Sequence, residues 1–581
     1  MRVLSFVIVL LLGLFNLMFA QSLGYLKALG APNKPRVEIS WNRYYSTAEI
    51  GEIMCRLAAA FPDLARTYVI GHSVSGREIR VIEVTNRKVG QADRKPGMYI
   101  DGNIHGNEIQ GGEVVLYTAW YLLENYQNVP AIKELVDRVV FYLIPTINPD
   151  GRDAFIVDHF AQRGGYLPLD EDGDGLADED GVEDLDGDGF ITLMRKKSPN
   201  GRYKLDPEDP RIMIRVKPDE QGEYELLGRE GIDNDGDGRV NEDGPGGYDP
   251  NRNWGYAWQP DYVQFGSGYY PFSLPETRAV ANFVIQHPNI AASQSYHNAG
   301  GMILRGPGDD SVEFDDRDIR WIFDVIGKKG EEMLPGYKYL TVYKDLYRVF
   351  GGELDWFYLG RGIIGFSNEL WTSFNYFRHA ESDDGQSTRI QRIKEEMKFN
   401  DLLLFQEAFV EWKPYKHPTF GDIEIGGMKH LIGRNPPSFL LEEECHRNMA
   451  FTLYHASQLP KIEFSDIKVK DLGNGVKKLW VTVSNKRLIP TRCNWDVKNH
   501  ISRPDWLTIR GKNLQVISSG VVENPYIPII QTVQAHPDRV EIDSLWGMES
   551  KTVQFIVKGK GTYFLTYDSV KGGIITKKGE L

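Results

Sequence analysis

Four short apolar runs in this chain each give way at once to polar residues: "GMYIDGN", "VVFYLIPTINP", "IAASQSYHNA" and "GIIGFSNELW". Runs of that length suit strands buried on both faces of a sheet. Between them lie longer stretches with helical spacing, "EVVLYTAWYLLENY" and "SLPETRAVANFVIQHP", the second opened by a Ser273/Glu276 capping box. An earlier helix, "STAEIGEIMCRLAAAFPDL", has Ser46 as its N-cap, and "REIRVIEV" alternates as a strand does. Strands alternating with helices predict an α/β fold with a mixed, mostly parallel sheet flanked by helices. In such folds, sites form at the carboxyl ends of the strands.

The texture changes twice. Residues 170–190, "DEDGDGLADEDGVEDLDGDGF", carry eleven carboxylates and no lysine or arginine. Within them Asp170, Asp172 and Asp174, then Asp184, Asp186 and Asp188, repeat Asp-x-Asp-x-Asp-Gly, and Asp233, Asp235 and Asp237 give a third copy. Alternate carboxylates converge when such a loop curls, and the glycine permits the sharp turn, which suits structural Ca²⁺. Flanking EF-hand helices are absent, so these read as EF-hand-like calcium loops in an insertion at about 165–245. After residue 457, "KIEFSDIKVKDLGNGVKKLWVTVSNKRLIPT" and "KTVQFIVKGKGTYFLTYDS" alternate at strand period and predict an all-β sandwich over 458–581 with no catalytic constellation.

The first residues, "MRVLSFVIVLLLGLFNLMFAQS", read as a secretory signal with cleavage after Ala20, leaving 21–457 as the main domain. No later stretch is apolar enough to span a bilayer, so a secreted or periplasmic protein is expected. Three cysteines are too few for a disulfide framework. A net charge of −14 without a basic stripe excludes a nucleic-acid partner. Nothing in the sequence fixes an oligomeric state.

If the strand reading holds, the polar residues after each strand gather on one edge: His105 and Glu108, then Asn148, then His297, then Glu369. Two imidazoles and a carboxylate from His105, Glu108 and His297, with a fourth position open, make a catalytic zinc site of the His₂Glu type, one ion per chain. The cluster Glu443, Cys445, His446 has no complement at ligand spacing and is placed at a helix start. A His-Glu-x-x-His signature is absent.

From about residue 40 to 415 the chain resembles the zinc carboxypeptidases typified by the pancreatic enzymes. The resemblance rests on ordered motifs: "YYSTAEIGEIMCRLAAAFPDL", "GHSVSGREIRVIEV", "HGNE", "NPDG" at 148–151, "YDPNRNW" at 248–254, "SYHNAGG", "LYRVFGGELDW" and "NELW" at 368–371. It implies His105, Glu108 and His297 as zinc ligands, Asp249 as the residue orienting the first histidine, and Asn251 with Arg252 as the clamp for a substrate carboxylate. It implies Tyr347 as a mobile tyrosine closing over the peptide, Glu369 as general base and Leu354 as the side-chain specificity residue, favouring apolar or aromatic C-terminal residues. The family's oxyanion arginine has no clean counterpart; "LMRKKSPNGR" keeps Arg195, the candidate, and has Ser198 where that arginine would fall. No long segment precedes the first motif, so an inhibitory N-terminal domain is not expected. The expected function is hydrolysis of the C-terminal bond of peptides or proteins. Two alternatives stay open: a peptidase of the same fold acting on cell-wall peptides with γ-linked or D-configured residues, and a non-catalytic calcium-stabilised binding protein.

Overall fold

A computed structural model describes residues 29–32, 34–170, 173–372, 374–377, 385–524, 526, 529–533 and 535–581. The leader expected at 1–20 and Asp172 lie outside the described residues. The chain's centre is an eight-stranded sheet. Its strands are β1 (Ala65–His72), β2 (Glu78–Val84), β3 (Gly97–Gly102), β4 (Val140–Ile144) and, after an excursion containing β5 (Leu193–Gly201), β6 (Tyr203–Leu205), β7 (Met213–Arg215) and β8 (Gly222–Arg229), then β9 (Ile290–Asn298), β10 (Met302–Arg305), β11 (Lys338–Thr341) and β12 (Ile364–Leu370). The order is β1-β2-β4-β3-β9-β12-β10-β11. The four central strands β4, β3, β9 and β12 run parallel, with antiparallel pairings outside them at β2/β4 and β10/β12.

Strand alternation explains how the sheet is buried on both sides. On β4, Phe141 and Leu143 join the helices Gln110–Asn125 and Ser438–Ser457 in one apolar cluster. Val140, Tyr142 and Ile144 point the other way, to Val280, Phe283 and Val284 of the helix Pro275–Gln286. Every residue of β3, β4 and β9 is buried as a result.

The helix Thr47–Ala60 starts at Ser46, whose hydroxyl accepts from Glu49 N while Glu49 closes the capping box. The Ser273/Glu276 box does not form. That helix begins at Pro275 with Leu274 as N-cap and no side-chain cap, and Glu276 Oε1 instead accepts from Val74 N at 3.1 Å. Tertiary demand for Glu276 outcompetes the local cap.

Strands β5 to β8 join β13 (Phe409–His417) and β14 (Gly421–Met428) in a six-stranded sheet, β13-β14-β5-β8-β6-β7. The region read as an acidic insertion therefore contains a sheet completed by strands from far downstream. The "EECHR" segment lies inside the helix Ser438–Ser457, with Cys445 buried in the main core and His446 Nδ1 meeting Tyr117 Oη at 3.0 Å. Cys55, Cys445 and Cys493 are free thiols. No helix of the described residues is long and apolar enough to cross a membrane.

Residues 462–580 form two antiparallel sheets, one of five strands and one of four. Leu479, Val481 and Phe555 from the first interleave with Leu507, Ile509 and Leu565 from the second in a shared core, so the fold is α/β with a C-terminal all-β sandwich. Polar ties fasten the sandwich to the main sheet. Lys571 Nζ donates to Gly362 O at 2.7 Å and pairs with Asp496 at 2.8 Å, while Trp495 Nε1 donates to Leu359 O at 2.9 Å.

Candidate active site

The site lies where β3, β9 and β12 end together. Their register sets Gly102 beside Tyr296 and His297 beside Glu369. The loop after β3 is pinned by Asn103, which adopts a left-handed φ of 56° and whose amide donates to His105 O at 2.7 Å and Gly106 O at 3.2 Å. Asn103 Oδ1 in turn accepts from Thr146 Oγ1 and from Arg152. Gly106 is required by contact rather than by φ, since a Cβ there would stand 2.5 Å from Gly151 Cα.

This turn brings His105, Glu108 and His297 into one buried group. His105 Nδ1 is 2.9 Å from Glu108 Oε2, His297 Nδ1 is 3.0 Å from the same oxygen, and the two Nδ1 atoms are 3.1 Å apart. The other ring nitrogens face carboxylates: His105 Nε2 meets Asp249 Oδ1 at 2.9 Å, and His297 Nε2 meets Glu353 Oε1 at 3.1 Å. Each Nε2–H is thereby committed, so Nδ1 of a neutral ring is a lone pair. Two imidazole lone pairs and a carboxylate oxygen converging within 3.1 Å call for a cation between them, and the donor set fits zinc. Where a proton plays that part, burial opposes the charge on His297, but Glu108 and Glu353 outweigh it and hold its pKa well above the usual imidazole value. Burial likewise opposes the charge on Glu108, yet the two histidines keep it well below the ordinary carboxylate range.

The outer oxygen of Glu108 is held by guanidinium groups, Arg434 Nη1 at 2.9 Å and Arg163 Nη1 at 3.3 Å. Asp249 caps the short turn Pro250–Arg252, accepting from Asn251 N at 2.8 Å, and pairs with Arg163 Nε at 2.8 Å through its second oxygen. Despite burial, Arg252, His105 and Arg163 keep its carboxyl well below the usual range. Asn251 Oδ1 accepts from Glu353 N at 2.9 Å, and Arg252 Nη1 donates to Asn251 O at 2.8 Å.

These groups open onto one cleft, whose lining includes His105, His297, Asn251, Arg252, Arg163, Tyr347, Leu354 and Glu369. Glu369 is pushed up to about 7, by burial first and by Glu108 second. Tyr347 is more than half exposed at the rim, after the turn Val342–Leu346. Leu354 shares its part of the wall with Leu304 and Val349.

Arg195 is elsewhere. "LMRKKSPNGR" folds as β5 rather than as a loop beside the clamp, and Arg195 Nε pairs with Glu424 at 2.7 Å while its guanidinium lies over Trp412 at 3.9 Å and Tyr224 at 4.7 Å. It does not line the cleft; Arg163 does. Sequence reasoning missed Arg163, Arg434 and the contact of Glu353 with His297. The available signal for Arg163 was only its place before "GG", between "NPDG" and "NRNW".

The three aspartate loops share one backbone form. Asp170, Asp184 and Asp233 each accept from the amides three and five residues on, which belong to glycines of positive φ. Asp184, Asp186 and Asp188 form one exposed acidic group, and Asp174, Asp233, Asp235 and Asp237 belong to others.

A family model described as zinc carboxypeptidase matches residues 50–163 and 222–397, and one described as a domain of unknown function matches residues 461–580. Human carboxypeptidase Z is 38% identical over 109 residues, 19% of this chain and 17% of that protein. Mouse carboxypeptidase D is 31% identical over 116 residues, 20% of this chain and 8% of that protein. The aligned segments thus span well under two thirds of these relatives. Among solved structures, thrombin activatable fibrinolysis inhibitor aligns with a TM-score of 0.44 at 17% identity, covering 73% of this chain and 76% of that one.

Proposed function

The chain belongs to the zinc carboxypeptidase family, and from that premise we propose that it is a secreted or periplasmic zinc-dependent carboxypeptidase that removes the C-terminal residue of peptides or proteins. The observation that carries this reading is the convergence of His105 Nδ1, His297 Nδ1 and Glu108 Oε2 at the head of a cleft that also holds Arg252 and Glu369. His105, Glu108 and His297 would hold zinc, which supplies Lewis acidity that polarises a carbonyl and acidifies water.

The chain's own residues do the rest. Arg252, with Asn251 beside it, reads the terminal carboxylate, for which a planar guanidinium fork is better suited than an ammonium. That contact sets the scissile bond one residue from the chain end. Glu369, buried at the head of the cleft, takes a proton from the attacking water and passes it to the departing amine. Arg163 donates to the oxyanion that develops on the scissile carbonyl. Tyr347 covers the bound end, and Leu354 with Leu304 and Val349 favours apolar or aromatic terminal side chains. Asp249 and Glu353 fix the two imidazoles. The aspartate loops bind structural Ca²⁺.

The test is release of free amino acids from a mixed peptide library by the mature protein, with and without a zinc chelator, beside Glu369→Gln. Chelator-sensitive release of single C-terminal residues, lost in Glu369→Gln by roughly 10²-fold or more, is the expected result. Equal turnover by wild type and variant would sink the mechanism, and no release from zinc-loaded protein would sink the activity.

A further inference from the structure

Residues 170–181, "DEDGDGLADEDG", and residues 233–244, "DNDGDGRVNEDG", are two copies of one unit, extending past the Asp-x-Asp-x-Asp-Gly core to a shared "EDG". The structure pairs them. Asp180 and Asp243, equivalent residues of the two copies, form an antiparallel bridge, with Asp180 N donating to Asp243 O at 3.0 Å. Pairing of equivalent residues relates the two loops by a local twofold.

The bridge mixes their carboxylates. Three acidic groups meet on Asp235: Asp174 and Glu179 from the first copy, Asp180 of the first with Asp233 of the second, and Asp237 with Glu242 from the second. In each group the ligand oxygens lie within 4.8 Å of one another. The loop at Asp184, Asp186 and Asp188 forms a group of its own, without a partner copy.

Burial separates the paired cluster from an ordinary acidic surface. Asp180 and Asp243 are both fully buried. Among the described residues neither oxygen of Asp243 has a hydrogen-bond donor, nor does Asp180 Oδ2, although Asp180 Oδ1 accepts from Asn234 Nδ2 at 3.0 Å. Both oxygens of Glu242 are also buried without a donor. Arg239 approaches Asp237 only at 3.5 Å, from the exposed side. Buried like charges without donors are costly unless a cation joins them. Oxygen-only donors in this number suit a hard divalent ion that accepts six to eight ligands.

We propose that the two units form a single Ca²⁺ centre shared across the Asp180/Asp243 bridge, closed by Asp180, Asp235 and Glu242 from both copies, rather than two independent loops. This deepens the reading of the aspartate loops as calcium sites and rests on it. The centre ties together the two segments that lead to the cleft. They remain in contact: a Cβ on Gly164 would stand 2.5 Å from both Gly246 O and Tyr248 O, and Leu167 N donates to Tyr248 Oη at 2.9 Å. They end at the Arg163/Asp249 ion pair. The shared centre is thus a strut that sets how Arg163 and Asp249 face each other.

The experiment measures Ca²⁺ affinity by calorimetry and melting temperature with and without millimolar Ca²⁺, on the zinc-loaded full chain. It compares wild type, Asp180→Asn, Asp235→Asn and Glu242→Gln with Asp184→Asn in the solitary loop. Each cross-loop variant is expected to weaken binding roughly tenfold or more and to lose most of the Ca²⁺-dependent rise in melting temperature. Without Ca²⁺, Asp180→Asn should melt at or above wild type, because it removes a buried charge with one oxygen uncompensated; with Ca²⁺ the order should invert. Asp184→Asn should leave the shared centre's affinity unchanged. If Ca²⁺ binds but the cross-loop variants behave like Asp184→Asn, the shared centre is wrong while the calcium loops stand. If no Ca²⁺ binds, both fall. Asp235→Asn and Glu242→Gln, both less buried than Asp180, decide the matter should Asp180→Asn fail to fold.

Discussion

Replacing Arg163 tests the cleft more sharply than replacing any metal ligand would. Arg163 is 37% exposed, lines the cleft, and is held from behind by Asp249 at 2.8 Å and Glu108 at 3.3 Å. Burial disfavours its charge, but those two carboxylates raise its pKa further still. A fixed, charged donor aimed at the reacting carbonyl is worth about 10²–10³ in kcat, or roughly 3–4 kcal/mol of barrier. Arg163→Ala should therefore lose that factor in kcat with KM changed by only about twofold, because the proposed reading gives the terminal carboxylate to Arg252. Zinc content should remain one per chain: Glu108 keeps Arg434 and Asp249 keeps His105. Arg163→Lys should recover part of the loss, since it restores the charge without the fork. Arg195→Ala, by contrast, should leave kcat within about twofold and lower the melting temperature, because it empties the stack between Trp412 and Tyr224. Steady-state kinetics on a peptide with an apolar terminus, with metal analysis alongside, decide it. Retention of more than half the wild-type kcat by Arg163→Ala, or an Arg195→Ala loss of the same size, would refute the assignment.

Asp249→Asn and Glu353→Gln should each weaken zinc about 10–100-fold, as each frees one imidazole to rotate; competition with a chromogenic chelator measures this. His455 is buried without a hydrogen-bond partner on either nitrogen, and burial drives its pKa down to about 3. The unfolded chain then binds a proton that the folded chain refuses, so stability falls as pH drops from about 6.5 to 3, by up to roughly 5 kcal/mol, and is unaffected above that window. His455→Leu should flatten that stretch of the wild-type stability curve in denaturant titrations, and an unchanged slope would show that the histidine finds a partner.

The strands that carry the site were legible because burial on both faces leaves a continuous apolar signature, and the chemistry sits where that signature breaks. His105, Glu108, His297 and Glu369 are all such break points; the sheet register sets His297 beside Glu369, and the turn after β3 brings His105 and Glu108 to them. What escaped has a different origin. Arg163 follows no strand and owes its position to chain packing between 163–165 and 246–249. Arg434 reaches Glu108 across 326 residues, a separation with no periodic trace. Arg195 misled because a basic segment near the clamp in sequence became an interior strand of another sheet. In the aspartate repeats the curl of each loop follows from its own glycines, whereas the pairing of Asp180 with Asp243 depends on the whole excursion folding back.

The charges around the donors link the metal to the base. Glu108, Asp249 and Glu353 all touch the imidazoles, and Glu369 is raised to about 7 by its burial first and by the charge of Glu108 second. Without a cation the cluster relieves itself by holding protons, one on His297 and a share on Glu369. A dication between the donors takes over that task, so binding it should expel both. At pH 7 a group of pKa about 7 is half protonated, so Glu369 accounts for roughly half a proton of the release, and His297, held above the usual imidazole value, adds to it. Calorimetry of zinc binding in buffers of different ionisation enthalpy counts these protons. Glu369→Gln should bind zinc with similar affinity while releasing about half a proton fewer at pH 7, and the difference should vanish by about pH 9, where Glu369 is already ionised. An identical release from wild type and variant would mean that Glu369 holds no proton for the metal to displace, and the coupling between them would fail.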